Sequence, residues 1–242
     1  MSLLRRGLTR VDEAEWLDQG RGSQADVAAN LDEMWRLNRW LGGLSALTCH
    51  LYPRLSAAGP STVLDLGTGS AQVPLAVAGW ARARRRRVTV IGVDWAARNL
   101  RVARRHAGGN GALQLMQADA RCLPLAPRSA DFVISSLFLH HFAPDTLAEL
   151  LRAAYAVTRR ALIMSDLVRG VLPEMAFRLV QPALARHPLT RHDGRLSIRR
   201  AYTPAELRAL AAAAGLPQAR VYEHWPWRMT LVADRADGEA RG

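Results

Sequence analysis

Between residues 61 and 165, short apolar runs and longer amphipathic stretches take turns along the chain. Residues 62–66, 88–93, 112–117, 131–137 and 161–165 are brief and apolar nearly throughout, as strands buried on both faces are. Residues 71–81, 96–106 and 145–157 instead carry apolar positions at helical spacing. Pro74 falls in the first turn of its helix, where no N–H is needed. This alternation predicts an α/β fold: a mainly parallel sheet covered by helices on both faces.

The flanks read differently. Ser23 is a helix cap, and the helix it opens runs through Asp26, Leu31, Met34, Trp35, Trp40 and Leu44, ending or kinking near Gly42-Gly43. Trp35 and Trp40 are read as core or cap packing in preference to substrate stacking. Pro53 and Gly59-Pro60 are expected to break the chain, so residues 1–60 form a helical cap and 61–242 the main domain. Residues 167–200 hold three prolines and many arginines, and are expected to be an inserted helix and a loop that fold over the site as a lid. Thr203-Pro204-Ala205-Glu206 starts a further helix, with Thr as cap and Glu at its third position; that helix stops at Gly215. Residues 219–224 and 228–233 can pair as an antiparallel hairpin around Trp225-Pro226-Trp227. Residues 108–111 read as a turn, and 234–242 as a frayed polar tail.

Composition narrows the function classes. At 242 residues, nearly half of them apolar, the chain can build one large core. No apolar run reaches the ~18 residues of a membrane span, and the basic start of the chain lacks the apolar stretch of a secretory signal. Cys49 and Cys122 form no metal-spacing motif, so no metal is expected; two ordinary thiols fit a reducing cytoplasm. The formal charge is +12, carried by arginine with no lysine. Such charge suits an anionic partner such as RNA, or reflects a GC-rich coding bias that also explains the abundant Ala, Leu and Gly. The arginines are spread out, without the interleaved aromatics of a stacking platform. The run from Arg82 to Arg87 sits at an expected helix end, where cations meet the negative end of the helix dipole.

The chemistry concentrates at strand ends. Residues 63–71 are an apolar run that stops at Asp65, a Gly67-Thr68-Gly69 turn, and a helix start, a layout that holds nucleotide-like ligands against backbone N–H groups. Asp65 would repel a pyrophosphate and suits an amine or a sulfonium. Asp94 and Asp119 close the next two strands. Three carboxylates along one crevice call for a ligand with donors or positive charge: an ammonium, a ribose diol and an adenine amine would use one each.

Four segments in this order and spacing, Val63 to Ser70, Val90 to Asp94, Gln117 to Ala120 with Leu123-Pro124-Leu125, and Ser129 to Phe142, resemble the class I S-adenosylmethionine-dependent methyltransferases. The resemblance covers residues 61–233. It implies a Rossmann-like three-layer sandwich with a seven-stranded sheet in the order 3-2-1-4-5-7-6 and an antiparallel last strand. It implies S-adenosylmethionine as cofactor, its methionine part surrounded by Asp65, Gly67, Thr68, Gly69 and Ser70, with Ser135 nearby. Asp94 would take the ribose hydroxyls, Trp95 would pack beside the adenine, Asp119 would accept from its amine, and the Ala120 N–H would reach the ring. Two departures stand out: Ala71 replaces the third glycine, and Thr158-Arg159-Arg160 replaces a Pro-Gly-Gly turn.

Outside those motifs the chain is similar to small-molecule methyltransferases of the quinone-biosynthesis type. That similarity implies O- or C-methylation of an aromatic, phenolic or quinone-like metabolite, with His140 or His141 and then His192 as candidate bases. His140, His141, His192 and Asp193 read equally well as packing residues. RNA or tRNA methylation and a non-catalytic partner protein are the alternatives, and a monomer or a homodimer is expected.

Overall fold

The computed structural model describes residues 8–109 and 111–235. The basic start at residues 1–7, Asn110 of the glycine turn and the tail beyond Arg235 lie outside the described residues.

Seven strands form one sheet: β1 (Ser61–Leu66), β2 (Val88–Asp94), β3 (Leu113–Gln117), β4 (Ala130–Ser136), β5 (Thr158–Leu167), β6 (Arg220–His224) and β7 (Arg228–Asp234). Their order is β3-β2-β1-β4-β5-β7-β6. The first five pair in parallel, whereas β7 runs antiparallel to both β5 and β6. Alternate strand residues supply two cores, because successive side chains point to opposite faces. Leu64, Val133 and Leu162 pack on one face with α5 (Pro144–Val157) and α8 (Pro204–Ala213). Val63, Phe132 and Ile163 pack on the other with α2 (Gly43–Ala57) and α3 (Gln72–Ala83). The remaining strand-linking helix is α4 (Ala97–Ala107). The arginines from Arg82 to Arg87 are exposed around the end of α3, as expected of a solvated helix terminus.

Two expectations about the connections are corrected. Pro53 does not break the chain; it sits inside α2. The helix persists because Leu47, Leu51 and Leu55 are buried, and burial worth about 1.5–3 kcal/mol for each outweighs the proline penalty of about 3 kcal/mol. Residues 167–200 form two helices, α6 (Val171–Leu184) and α7 (Pro188–Arg200), with Pro188 in the first turn of α7. Thr158-Arg159-Arg160, standing where the family has a turn, begins β5, and α5 passes straight into the strand, so the loop is shortened as expected.

The first helix, α1 (Gln24–Trp40), opens on a capping box: the Ser23 hydroxyl accepts from the Asp26 N–H, and the Asp26 carboxylate accepts from the Ser23 N–H. Leu37 joins Phe177, Ala185 and Ile198 in a third core that holds α1 against α6 and α7. The Glu33 carboxylate accepts the N–H groups of Arg186 and His187 at 3.0–3.1 Å, pinning the corner between those helices. Trp40, expected in the packing, is 66% exposed. Among the described residues no helix is long and apolar enough to cross a membrane.

Candidate functional site

A cavity of about 480 Å³ opens at the C-terminal ends of β1, β2 and β4, roofed by α1 and by the segment before it. Its floor is the turn after β1. The Thr68 N–H donates to the Val93 carbonyl at 2.9 Å, and the Gly69 N–H donates to Asp94 Oδ2 at 2.9 Å, so the turn is tied to the end of β2. Gly67 (φ 70°) has no room for a side chain, because a Cβ there would run into the Phe138 ring. Gly69 (φ 55°) has room for a side chain, whose Cβ would meet Leu31 Cδ2 in ordinary contact at 3.5 Å. Ala71 keeps the left-handed conformation of the glycine it replaces, at φ 60°.

Gly67, Thr68, Gly69, Ser70, Asp94, Trp95, Asp119, Ala120 and both His140 and His141 line this cavity. Asp65 and Ser135 are buried behind its wall, and His192 lies outside it. Burial pushes the Asp65 carboxyl up to about 7, and the Asp94 charge adds to the rise, against the Thr68 hydroxyl. Burial also raises Asp94, although the N–H groups of Ala96 and Gly69 pull the other way. Arg121 engages both oxygens of Asp119, its Nη2 at 2.6 Å from Oδ2, and this hydrogen bonding holds the carboxyl below its ordinary value. An adenine amine must share Asp119 with that half-exposed arginine, a modest cost for a surface pair.

The donor set fits an S-adenosylmethionine-like group. Two buried, mutually repelling carboxylates favour a ligand with positive charge and hydroxyl donors. The Ser135 hydroxyl beneath them is buried without a hydrogen-bond partner. Asp94 and the Gly67–Ser70 turn would hold the ribose and methionine ends.

On the opposite wall the structure separates the two adjacent histidines. His140 is buried, its Nδ1 at 2.8 Å from Asp166 Oδ1 and its Nε2 at 3.4 Å from Glu15 Oε1. Burial alone would lower its pKa, but Asp166 and Glu15 outweigh it and hold His140 up at about 10. His140 therefore stays an imidazolium at neutral pH and cannot take a proton. Glu15 in turn is held down at about 2: burial raises it, but the His141 charge and the His140 hydrogen bond prevail. Glu15, His140 and His141 bring ligand-type atoms within 4.8 Å of one another, yet both His140 nitrogens already face carboxylates, so the group reads as an ion-pair network. His141 is half-buried on the cavity wall, with Nδ1 at 2.8 Å from Asp18 Oδ2. That contact places a ring proton on Nδ1, which donates to the carboxylate.

His192 instead stacks on Trp16 with ring centroids 3.8 Å apart. Its neighbour Asp193 accepts the N–H groups of Trp16 and Leu17 at 2.9 and 3.1 Å, strapping residues 15–18 onto α7. Arg200 finishes the strap, donating to the carbonyls of Glu13, His140 and His141. Sequence reasoning missed Glu15, Asp18, Asn38 and Arg200, which carry no local signature. Asp166 had a signal, since it lies near the end of β5 much as Asp65 lies near the end of β1.

Residues 63–161 match the model of a methyltransferase domain family. No curated protein matches the chain by sequence. Solved structures do match by fold. A SAM-dependent methyltransferase from Aquifex aeolicus superposes with a TM-score of 0.62 at 15% identity, covering 89% of this chain and 100% of that one. Human N-acetylserotonin methyltransferase in complex with SAM superposes with a TM-score of 0.66 at 14% identity, covering 97% of this chain and 65% of that one. An arsenic(III) S-adenosylmethionine methyltransferase from Chlamydomonas reinhardtii gives a TM-score of 0.54 at 23% identity, covering 74% and 65%. The family match spans the strand tips that build the cavity floor, and the sheet order is the one its sequence motifs imply. Residues 63–161 thus carry a methyltransferase domain, and the chain as a whole has the fold of SAM-dependent methyltransferases.

Proposed function

We propose that this enzyme methylates an oxygen or carbon of a small aromatic, phenolic or quinone-like metabolite by direct in-line displacement, with His141 as general base. The observation that carries the reading is the His141–Asp18 pair on the cavity wall facing the strand tips, beside a His140 that is locked as a cation. S-adenosylmethionine supplies an electrophilic methyl group on a sulfonium. The segment from Ala14 through α1, together with α7, covers the cavity and keeps water from competing. His141 Nε2 accepts the proton of the acceptor hydroxyl, while Asp18 fixes the ring orientation and stabilises the imidazolium that forms. A positioned base contributes about 10²–10⁴-fold, and alignment of the reactants supplies much of the rest. Two exposed free cysteines, Cys49 and Cys122, fit a reducing, cytoplasmic setting.

The test is turnover of dihydroxybenzenes and naphthohydroquinones by wild type and His141→Ala, with the thermal shift given by S-adenosylhomocysteine as a control. The variant is expected to lose about 10²–10⁴-fold in kcat and to keep its shift. Unchanged kcat would remove His141 from the reaction. Methylation of RNA with no turnover of any phenol would move the reading to a nucleic-acid substrate.

A further inference from the structure

Next to the transfer cavity lies a second chamber of about 230 Å³, between α1, α6, α7 and the loop that joins β6 to β7. Met34, Asn38, Leu137 and Ser197 line both spaces, so the two share a partition. Beyond it the walls are almost wholly apolar: Leu37, Leu41, Phe177, Ile198 and Trp227 among them. Trp225 and Val180, on the same lining, are exposed, so the chamber reaches the surface at that edge.

One charged group stands in this lining. Arg228, the first residue of β7, is 4% exposed. Its Nε donates to the Leu41 carbonyl at 3.1 Å, but its Nη1 is buried with no hydrogen-bond partner. Asp166 acts on Arg228 through its charge without forming an ion pair with it. A buried guanidinium N–H without an acceptor is costly, and arginine does not escape the cost by losing its proton near neutral pH. An apolar chamber with one orphaned cationic donor is complementary to a ligand of matching pattern.

We propose that this chamber is the second subsite of the methyl acceptor, taking an apolar body that bears one anionic oxygen group, paired with the Arg228 guanidinium. The proposal rests on the reading of the transfer site given above, since the reacting end of the same molecule lies across the partition, near His141. A space of 230 Å³ equals about eight water molecules, which sets the body at about eight carbons.

The experiment uses the full chain saturated with S-adenosylhomocysteine. Octanoate, 1-octanol and octyltrimethylammonium are titrated in turn, read by tryptophan emission, because Trp225 and Trp227 line the chamber. Octanoate is expected to bind at least about tenfold more tightly than the ammonium of equal chain length, as one charge-assisted hydrogen bond allows. Arg228→Leu is expected to abolish that preference while leaving octanol binding and S-adenosylhomocysteine affinity in place. Ala176→Trp, on the half-buried side of α6, fills the chamber and is expected to weaken all three probes; it serves where Arg228→Leu does not fold. Equal affinity for octanoate and the ammonium in wild type overturns the proposal, as does octanoate binding that ignores Arg228→Leu or Ala176→Trp. Failure of these tests with His141-dependent turnover intact sinks this inference alone. Probe binding as expected with no S-adenosylhomocysteine binding sinks the transfer-site reading instead.

Discussion

Replacing His140 with glutamine tests the division of labour between the two adjacent histidines. In the native protein its pKa rises from 6.5 to about 10 because two buried carboxylates face it. At about 1.36 kcal/mol per pH unit that displacement is worth about 5 kcal/mol. An independent estimate agrees: breaking a buried ion pair by removing one partner costs about 3–5 kcal/mol. The sign follows from linkage. The folded value exceeds the unfolded one, so the contribution is complete below pH 6.5 and fades as pH rises toward 10. Glu15, held at about 2 against 4.5, contributes above pH 4.5 and is lost as pH falls toward 2. The two values share one contact and are not added. Urea unfolding of wild type and His140→Gln from pH 5 to 10 measures the effect. Wild-type stability should fall between pH 7 and 10, and the variant should be weaker by about 3–5 kcal/mol at pH 7 with a flatter profile above it. A wild-type profile that is flat to pH 10, with a variant of equal stability, would refute the ion-pair account and return His140 to the list of bases.

Asp65→Asn should stabilise the cofactor-free protein at pH 8. The native carboxyl is displaced upward from 3.8 to about 7, so its burial removes stability progressively across that interval, up to about 4 kcal/mol; thermal melts at pH 5 and 8 should differ less in the variant than in wild type, and an unchanged difference would count against the displacement. Gly67→Ala should cost about 1–2 kcal/mol for its left-handed backbone and about 1–3 kcal/mol more for the collision with Phe138. Gly69→Ala, whose Cβ meets only Leu31 Cδ2 at 3.5 Å, should carry the backbone cost alone; equal urea midpoints for the two variants would contradict this difference.

Much of the architecture was written locally. Strand and helix periods give opposite burial patterns, and Val63 and Leu64 do face different cores as alternation requires. The Ser23 and Thr203 caps formed as read, because a capping box is closed by residues three apart. The glycine turn and Asp94 were legible for the same reason: strand, turn and acceptor are short-range chemistry. Where the reading failed, a distant contact had overruled a local preference. Pro53 stayed helical because α2 lies on the sheet, and the arginine-rich insert became two helices because Glu33 on α1 accepts the N–H groups at their corner.

The sequence by itself determined the fold class, the strand order implied by its motifs, and the cluster of carboxylates at the strand tips. Only the tertiary structure told the two adjacent histidines apart. His140 and His141 are neighbours in the chain, and their local signals are the same. Burial between Asp166 and Glu15 holds one up as a cation, whereas the other is half-buried on the cavity wall beside Asp18. Electrostatic energy in a low-dielectric interior depends on charges that chain folding brings near, Glu15 and Asp18 from more than a hundred residues away, and no local pattern encodes it.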